Sequence, residues 1–288
     1  MFKCISNVDS NIVANNDEYF RLMDIAWEAS DIVLSNLNGP RLSGKVLQPF
    51  PLVVMSLYYK SRDCMLSIAT LCACGHTREA YTIVRKLLET AVNLKYISMD
   101  PTERAPRFGK YGAVRSYFLA QRVKNDPTWP ENVRKDLASI SDEIRVGFES
   151  SKSLFCDQSG KLLSKYSRYW DGKSIPKMAK ECGLVDDLSA YEVFNFATHT
   201  SSSDVGIYFD MGKKQFRSGA DASDVPGVLL ESVRLFTIPL RLVAAEFKLD
   251  LNASLAQVER VLNYSGNKWV AGRFHKKLDT ANSAAEDI

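Results

Sequence analysis

Apolar positions return every three or four residues along most of this chain, and the polar breaks between the runs are short. The first run begins at Asp17, carries Tyr19, Leu22, Ile25, Ala26 and Ala29, and reaches about Leu37, where Asn38-Gly39-Pro40 ends it. Pro49 and Pro51, tolerated in a first helical turn, open a second helix that continues to Cys74. Its Leu57, Met65, Ile68, Ala69, Leu71 and Cys72 leave little polar surface, so it is expected to be the central, most buried element. Gly75-His76-Thr77 is a tight break, with glycine closing one helix in a left-handed conformation and Thr77 capping the next. Residues 52 to 98 therefore predict a long αα-hairpin.

Asp100-Pro101 ends the second arm, and periodicity resumes over Thr102 to Lys124 through Phe108, Tyr111, Val114, Phe118 and Val123. After Asp126-Pro127 and Pro130, a single amphipathic helix is expected from Glu131 to about Leu154, burying Val133, Leu137, Ile140, Ile144 and Phe148. Residues 156 to 172 read as loop. Ser174 then caps a short helix with Pro176 in its first turn and Gly183 after it. Further helices are expected over 187–200, 225–247 with a kink at Pro239, and 254–263. A small β-hairpin is expected within 206–217, turning at Gly212. The fold class is thus all-α: a multi-helix bundle around a long αα-hairpin, with one small β-hairpin. A single domain is expected over 1–272, with its core in 50–265, followed by a polar tail over 273–288 that frays.

At 288 residues and 45% apolar content, the chain has enough material for one substantial core. The net charge of +3 falls well short of the basic excess of a dedicated duplex-DNA binder. The cysteines at 4, 64, 72, 74, 156 and 182 form no paired framework, and reduced thiols are the simple reading. Cys72 and Cys74 point roughly 200° apart on a helix and cannot chelate one ion together. No metal and no cofactor is expected, and the Walker, dinucleotide and H-E-x-x-H patterns are all missing. The first residues lack the pattern of a secretory signal, and the apolar windows at 51–59 and 236–247 are short or interrupted by charge. The expectation is a soluble cytoplasmic protein with no membrane partner.

One helix carries the candidate chemistry. Over 77–98, Ala80, Val84, Leu87, Ala91 and Leu94 fall on one face, while Arg78, Thr82, Arg85, Glu89, Asn93 and Tyr96 fall on the other. These are groups able to make directional hydrogen bonds, unlike the Lys, Glu, Gln and Ser mixture of an ordinary solvated face. Arg85 and Glu89 read either as an intrahelical ion pair or as a guanidinium held by a carboxylate to receive phosphate. His199 ends a helix on which Tyr191 and Asn195 share its face, a setting for a structural cap or for an acid and base near neutral pH. Ser201-Ser202-Ser203 lacks triad partners and reads as solvated loop. Tyr166, Arg168, Tyr169 and Trp170 read equally as a base-stacking cluster or as a loop packed on helices.

Leu71 to Gly75, Arg78-Glu-Ala80, Arg85-Lys-Leu-Leu-Glu89, Asp100-Pro101, Trp170 with Met178-Ala179, and Tyr191 with His199 occur in that order. The series resembles an uncharacterised bacterial all-helical family that shares a G-x-x-x-E-A-x-x-x-x-R-x-L-L-E helix and a later Tyr and His. The resemblance covers roughly residues 50 to 210. In its helical hairpin and its Arg and His content the chain is more distantly similar to the HEPN superfamily, whose active members are metal-independent ribonucleases, often dimeric, of toxin and phage-defence systems. Those enzymes place an Arg a few residues before a His on one helix, whereas positions 192 to 194 here are Glu, Val and Phe. A comparable site would take Arg85 from a different helix. The resemblance implies Arg85, Glu89, His199 and Asn195 as catalytic residues, Arg78, Tyr191 and Trp170 as substrate-binding residues, RNA as partner and a homo-oligomer. The competing expectation is a non-catalytic helical interaction or regulatory module whose polar stripe is a structural network or a docking surface.

Overall fold

The structure, a computed structural model, describes residues 8–37, 48–139, 141–184, 209–210, 215–216 and 224–267. A short helix α1 (Ser10–Asn15) is started by Asp9, whose carboxylate accepts hydrogen bonds from the backbone of Asn11 and Ile12. It leads into α2 (Asp17–Leu37), which buries Leu22, Ala26 and Val33. The expected hairpin follows as α3 (Pro49–Ala73) and α4 (Thr77–Ser98), turning through Gly75 at φ 74°. Thr77 does not cap α4 as expected; the cap position falls on His76, and Thr77 is itself the first helical residue.

All five residues of the predicted apolar face of α4 are inaccessible to solvent. The buried surface is wider than that stripe, because Leu88, Val92 and Ile97 are covered too. The cause is α9 (Val225–Phe247), an apolar helix that lies against both arms of the hairpin, with α2 closing on α3 and α9. Burying each such leucine or isoleucine contributes roughly 1.5–3 kcal/mol, so this three-way packing dominates the stability of the bundle. Lys248, at φ 54°, ends α9 in a left-handed cap. The last described helix, α10 over 252–267, is longer than the expected 254–263, and Ser265 donates to Glu18 on α2 at 2.8 Å.

Between α2 and α3 lies a buried polar latch that sequence periodicity does not reveal. Arg62 is 8% exposed, yet it bonds to Ser30, pairs with Asp31 at 2.9 Å and lies 4.0 Å over the Trp27 ring. Tyr58 completes the latch by donating to the Ser30 carbonyl at 3.0 Å. Every polar partner gained here replaces a water molecule, which is what allows an arginine so deep in a helix interface.

α5 (Pro101–Asn125) starts on Asp100, which accepts from the Glu103 backbone, and runs to the boundary expected from the sequence. Two helices, α6 (Glu131–Ser139) and α7 (Ser141–Glu149), then stand where one was expected, followed by a 3-10 turn over Lys152–Leu154. Asp142 and Glu143 occupy the first turn of α7, where the helix dipole favours carboxylates, so the sequence restarts a helix at that point. A second hydrophobic cluster forms here from Val114, Phe148, Phe155 and Tyr166, with the Tyr117 ring stacked on Phe148 at 3.9 Å. Tyr111 packs against both this cluster and the main core.

Residues 156–172 hold more order than a loop reading allows. Cys156 bridges to Leu162, and Asp157 accepts from the backbone of Ser159 and Lys161, a compact polar turn. Ser174 and Gly183 bound α8 (Ile175–Glu181), although the Ser174 side chain makes no capping hydrogen bond. The expected β-hairpin is present as β1 (Phe209–Asp210) and β2 (Gln215–Phe216), with Phe209 opposite Phe216. The architecture is the all-α bundle read from the sequence. The helix expected over 187–200 and the tail over 273–288 lie outside the described residues. No helix among the described residues is long and apolar enough to cross a membrane.

Candidate functional site

The polar stripe of α4 exists as a graded line. Thr82 is exposed, Arg78, Arg85, Glu89 and Asn93 are half-buried, and Tyr96 is buried. The gradient follows the neighbours of the helix. Toward its C-terminal end α4 meets α8 and α5, and Tyr96 is enclosed by Trp170 and the first turns of α5.

At the centre of the stripe, Arg85 donates from Nε to Glu89 Oε1 at 3.2 Å. The two side chains are 20% and 35% exposed, so solvent reaches the pair and its contribution to stability is a few tenths of a kcal/mol. Its orientation is what matters. The Glu89 carbonyl accepts from Asn93 Nδ2 at 2.7 Å, and Asn93 Oδ1 accepts from the indole N–H of Trp170, also at 2.7 Å. Asn93 thus ties the α4 backbone at Glu89 to Trp170, one turn beyond the Arg85–Glu89 side-chain pair. Asn93 is fixed as an acceptor at Oδ1 and a donor at Nδ2, the assignment its two partners require.

Trp170 is 6% exposed and packs edge-on against Phe108 at 5.3 Å and against Tyr96 at 5.9 Å. Of the aromatic and basic cluster read from the sequence, Tyr166 and Trp170 are core residues, whereas Tyr169 is 38% exposed and Arg168 lies at the surface, as does the neighbouring Lys165.

Beyond Trp170 the stripe ends in a dense polar knot. Asp171 is 8% exposed and accepts from Arg107 at 2.5 Å and from the Tyr96 hydroxyl at 2.7 Å. Lys173 donates to the Tyr96 hydroxyl at 2.9 Å and to Glu181 at 2.7 Å. Arg104 bonds to the Tyr96 carbonyl and sits 3.7 Å over its ring. Burial pushes the Tyr96 phenol above its ordinary range, and Asp171 adds to that while the Lys173 ammonium opposes it. Lys173 is held above its ordinary value, by Glu181 first and then by Tyr96. The one sequence signal is the W-D-G order at 170–172, where Gly172 at φ 70° turns the chain so that Trp170 and Asp171 both face α4.

Among the four residues expected to be catalytic, Arg85 and Glu89 are adjacent on α4, and Asn195 and His199 lie outside the described residues, as does Tyr191. Arg78 is two turns before Arg85 on the same stripe, and Trp170 joins the stripe through Asn93. Among the described residues, no group of three or more His, Cys, Asp or Glu side chains is arranged to hold a metal ion.

A family model matches residues 52–216, more than half of the chain and close to the span read from the sequence motifs. The chain belongs to the DUF5677 family. It is described as a family of unknown function. The DUF5677 match begins in α3 and ends at β2, so it takes in the hairpin, the stripe, the Trp170 loop and the stretch bearing Tyr191, Asn195 and His199. It leaves out α2 and α9, which cover the hairpin from the other side. No curated protein and no solved structure matches the chain.

Proposed function

We propose that this DUF5677 protein is a metal-independent, HEPN-like ribonuclease in which Arg85 receives the scissile phosphate and His199 moves the proton. The observation that supports this reading is the Arg85–Glu89 pair, half-buried on α4, with the Glu89 carboxylate accepting from Arg85 Nε at 3.2 Å. A guanidinium so oriented is suited to an anion, because its planar fork is pre-positioned before the ligand arrives. The RNA 2′-hydroxyl is the nucleophile. Its oxygen attacks phosphorus as the bond to the 5′-oxygen breaks, one proton leaves the 2′-hydroxyl and one reaches the departing 5′-oxygen. His199 exchanges those protons, Asn195 orients His199, and Arg85 stabilises the added charge on the phosphoryl oxygens. Tyr191 and Arg78 contact the strand, and Trp170 acts as a positioning residue through Asn93. Such an enzyme would work in the cytoplasm as a homodimer and serve a bacterial toxin or phage-defence system.

A non-catalytic interaction module is the second reading, and the knot around Tyr96 favours it. There the stripe's hydrogen bonds are made to Asp171, Lys173 and Arg104 within the chain, as a structural network requires. One experiment separates the two. Purified protein is incubated in EDTA with total RNA, beside Arg85→Ala, Arg85→Lys and His199→Ala variants checked for folding by circular dichroism. The ribonuclease reading expects cleavage by the wild type, abolished in all three variants, since lysine lacks the fork. Absence of cleavage by the wild type leaves the module reading.

A further inference from the structure

The cationic excess of this chain is concentrated in one helix. α5 carries Arg104, Arg107, Lys110, Arg115, Arg122 and Lys124 against the single carboxylate of Glu103, a net of +5, while the whole chain nets +3. The next two helices differ, because their carboxylates lie within a turn of several of their cations. On α6, α7 and the turn after them, Lys135, Arg145 and Lys152 each pair with a carboxylate three or four residues away. Among the described residues Lys110, Arg115, Arg122 and Lys124 make no ion pair. Lys110 reaches only the Ser150 carbonyl, at 3.4 Å, and Arg115 lies 6.0 Å from the Tyr111 ring.

Their placement has direction. At 3.6 residues per turn, Arg104, Arg107, Arg115 and Arg122 follow one side of α5 over roughly 27 Å. The row starts beside the candidate site, where Arg104 and Arg107 are engaged with Tyr96 and Asp171 next to Trp170. It continues outward with Arg115 and Arg122, both exposed. The surface cation Lys165 stands 4.7 Å over the ring of Tyr166, whose carbonyl accepts from Tyr111. Two unmatched guanidinium groups, Arg115 and Arg122, in line with the engaged Arg104 and Arg107 and beside the half-buried Tyr111 ring, suit a polyanionic strand better than a folded protein face.

We propose that this side of α5 is the track along which a single strand of RNA approaches Arg85, its phosphates held by Arg115 and Arg122. The choice of RNA over another polyanion rests on the ribonuclease reading above; the track itself rests on the charge distribution. The test is fluorescence anisotropy of an end-labelled single-stranded 20-mer RNA with the full chain over a series of salt concentrations. Arg115→Gln/Arg122→Gln should bind about tenfold more weakly near 0.1 M salt, with a log–log salt slope shallower by about 0.7 for each phosphate no longer neutralised. Lys135→Gln/Arg145→Gln, which removes cations already paired, should bind within about twofold of the wild type, and melting curves confirm that both doubles are folded.

Equal affinity and slope in the two doubles overturns the track, as does absence of RNA binding by the wild type. Displacement of the RNA by polyglutamate at equal charge concentration overturns the RNA assignment. Arg85→Ala separates this proposal from the catalytic one. If it binds normally but does not cleave, both stand; if the α5 double binds weakly in a protein that never cleaves RNA, the track stands without the ribonuclease.

Discussion

Replacing Asp171 with Ala is expected to destabilise the protein by about 3 kcal/mol, although the residue lies in a loop. The carboxylate is 8% exposed and holds two partners, the Arg107 guanidinium and the Tyr96 hydroxyl. Both bonds end on the ionised carboxylate and are charge-assisted, and removing each costs roughly 1.5–3 kcal/mol. Arg107 is 25% exposed, so water recovers part of its charge, which keeps the total near the low end of the roughly 3–5 kcal/mol expected when a fully buried pair is broken. Tyr96→Phe, which removes only the phenol hydrogen bonds and leaves Arg107 paired, should cost roughly 1.5–2 kcal/mol. The double variant should fall short of additivity by roughly 1 kcal/mol, because the two side chains share a bond. Equilibrium urea unfolding gives the free energies, and at about 2 °C per kcal/mol for a chain this long the Asp171→Ala melt should fall by about 6 °C. A change under about 0.5 kcal/mol with strict additivity would show that the loop is not clamped to α4 through this carboxylate.

Four further outcomes follow from the same geometry. Trp170→Phe keeps the ring in the core but removes the N–H that Asn93 accepts, so it should cost roughly 1–2 kcal/mol in thermal unfolding and, on the ribonuclease reading, lower kcat more than it raises KM. Gly112→Ala should raise stability by about 0.5–1 kcal/mol, since a Cβ there meets no atom and glycine is costly within a helix. Burial pushes the Cys64, Cys72 and Cys156 thiols up, and Cys64 and Cys72 are also covered, so a thiol reagent at pH 8 should modify the half-buried Cys74 in the folded protein faster than Cys156 and reach Cys64 and Cys72 only on unfolding. Tyr58, Tyr96 and Tyr111 are raised above 10.0 mainly by burial, so the folded state retains their protons more tightly than the unfolded chain. The stability they contribute is full below about pH 10 and disappears as pH rises through their folded values, which a urea series from about pH 9 to pH 11 should record as a falling unfolding free energy.

Periodicity revealed the helices because each buries one stripe, and the capping residues Gly75, Asp100, Ser174 and Gly183 marked where they start and stop. It failed at Glu131–Leu154, where one continuous apolar stripe runs across two helices and the restart is signalled only by Asp142 and Glu143. The polar stripe of α4 was legible because its members recur on one helix. Its partners were not, since Asp171, Lys173 and Arg104 reach Tyr96 from other segments of the chain and no spacing rule links them. The Arg62 latch was hidden for the same reason: an arginine within an apolar helix reads as a surface residue until Ser30, Asp31 and Trp27 are seen beside it.

The proposal that Arg85 and His199 direct the RNA 2′-hydroxyl at phosphorus is tested most directly by the ends it leaves on RNA. A labelled oligoribonucleotide is cut by the purified protein in EDTA and the products are weighed by mass spectrometry. Fragments ending in 2′,3′-cyclic phosphate and 5′-hydroxyl, formed by the wild type and not by Arg85→Ala, are the expected result. Fragments with 3′-hydroxyl and 5′-phosphate ends, or an oligoribonucleotide left intact, would contradict it.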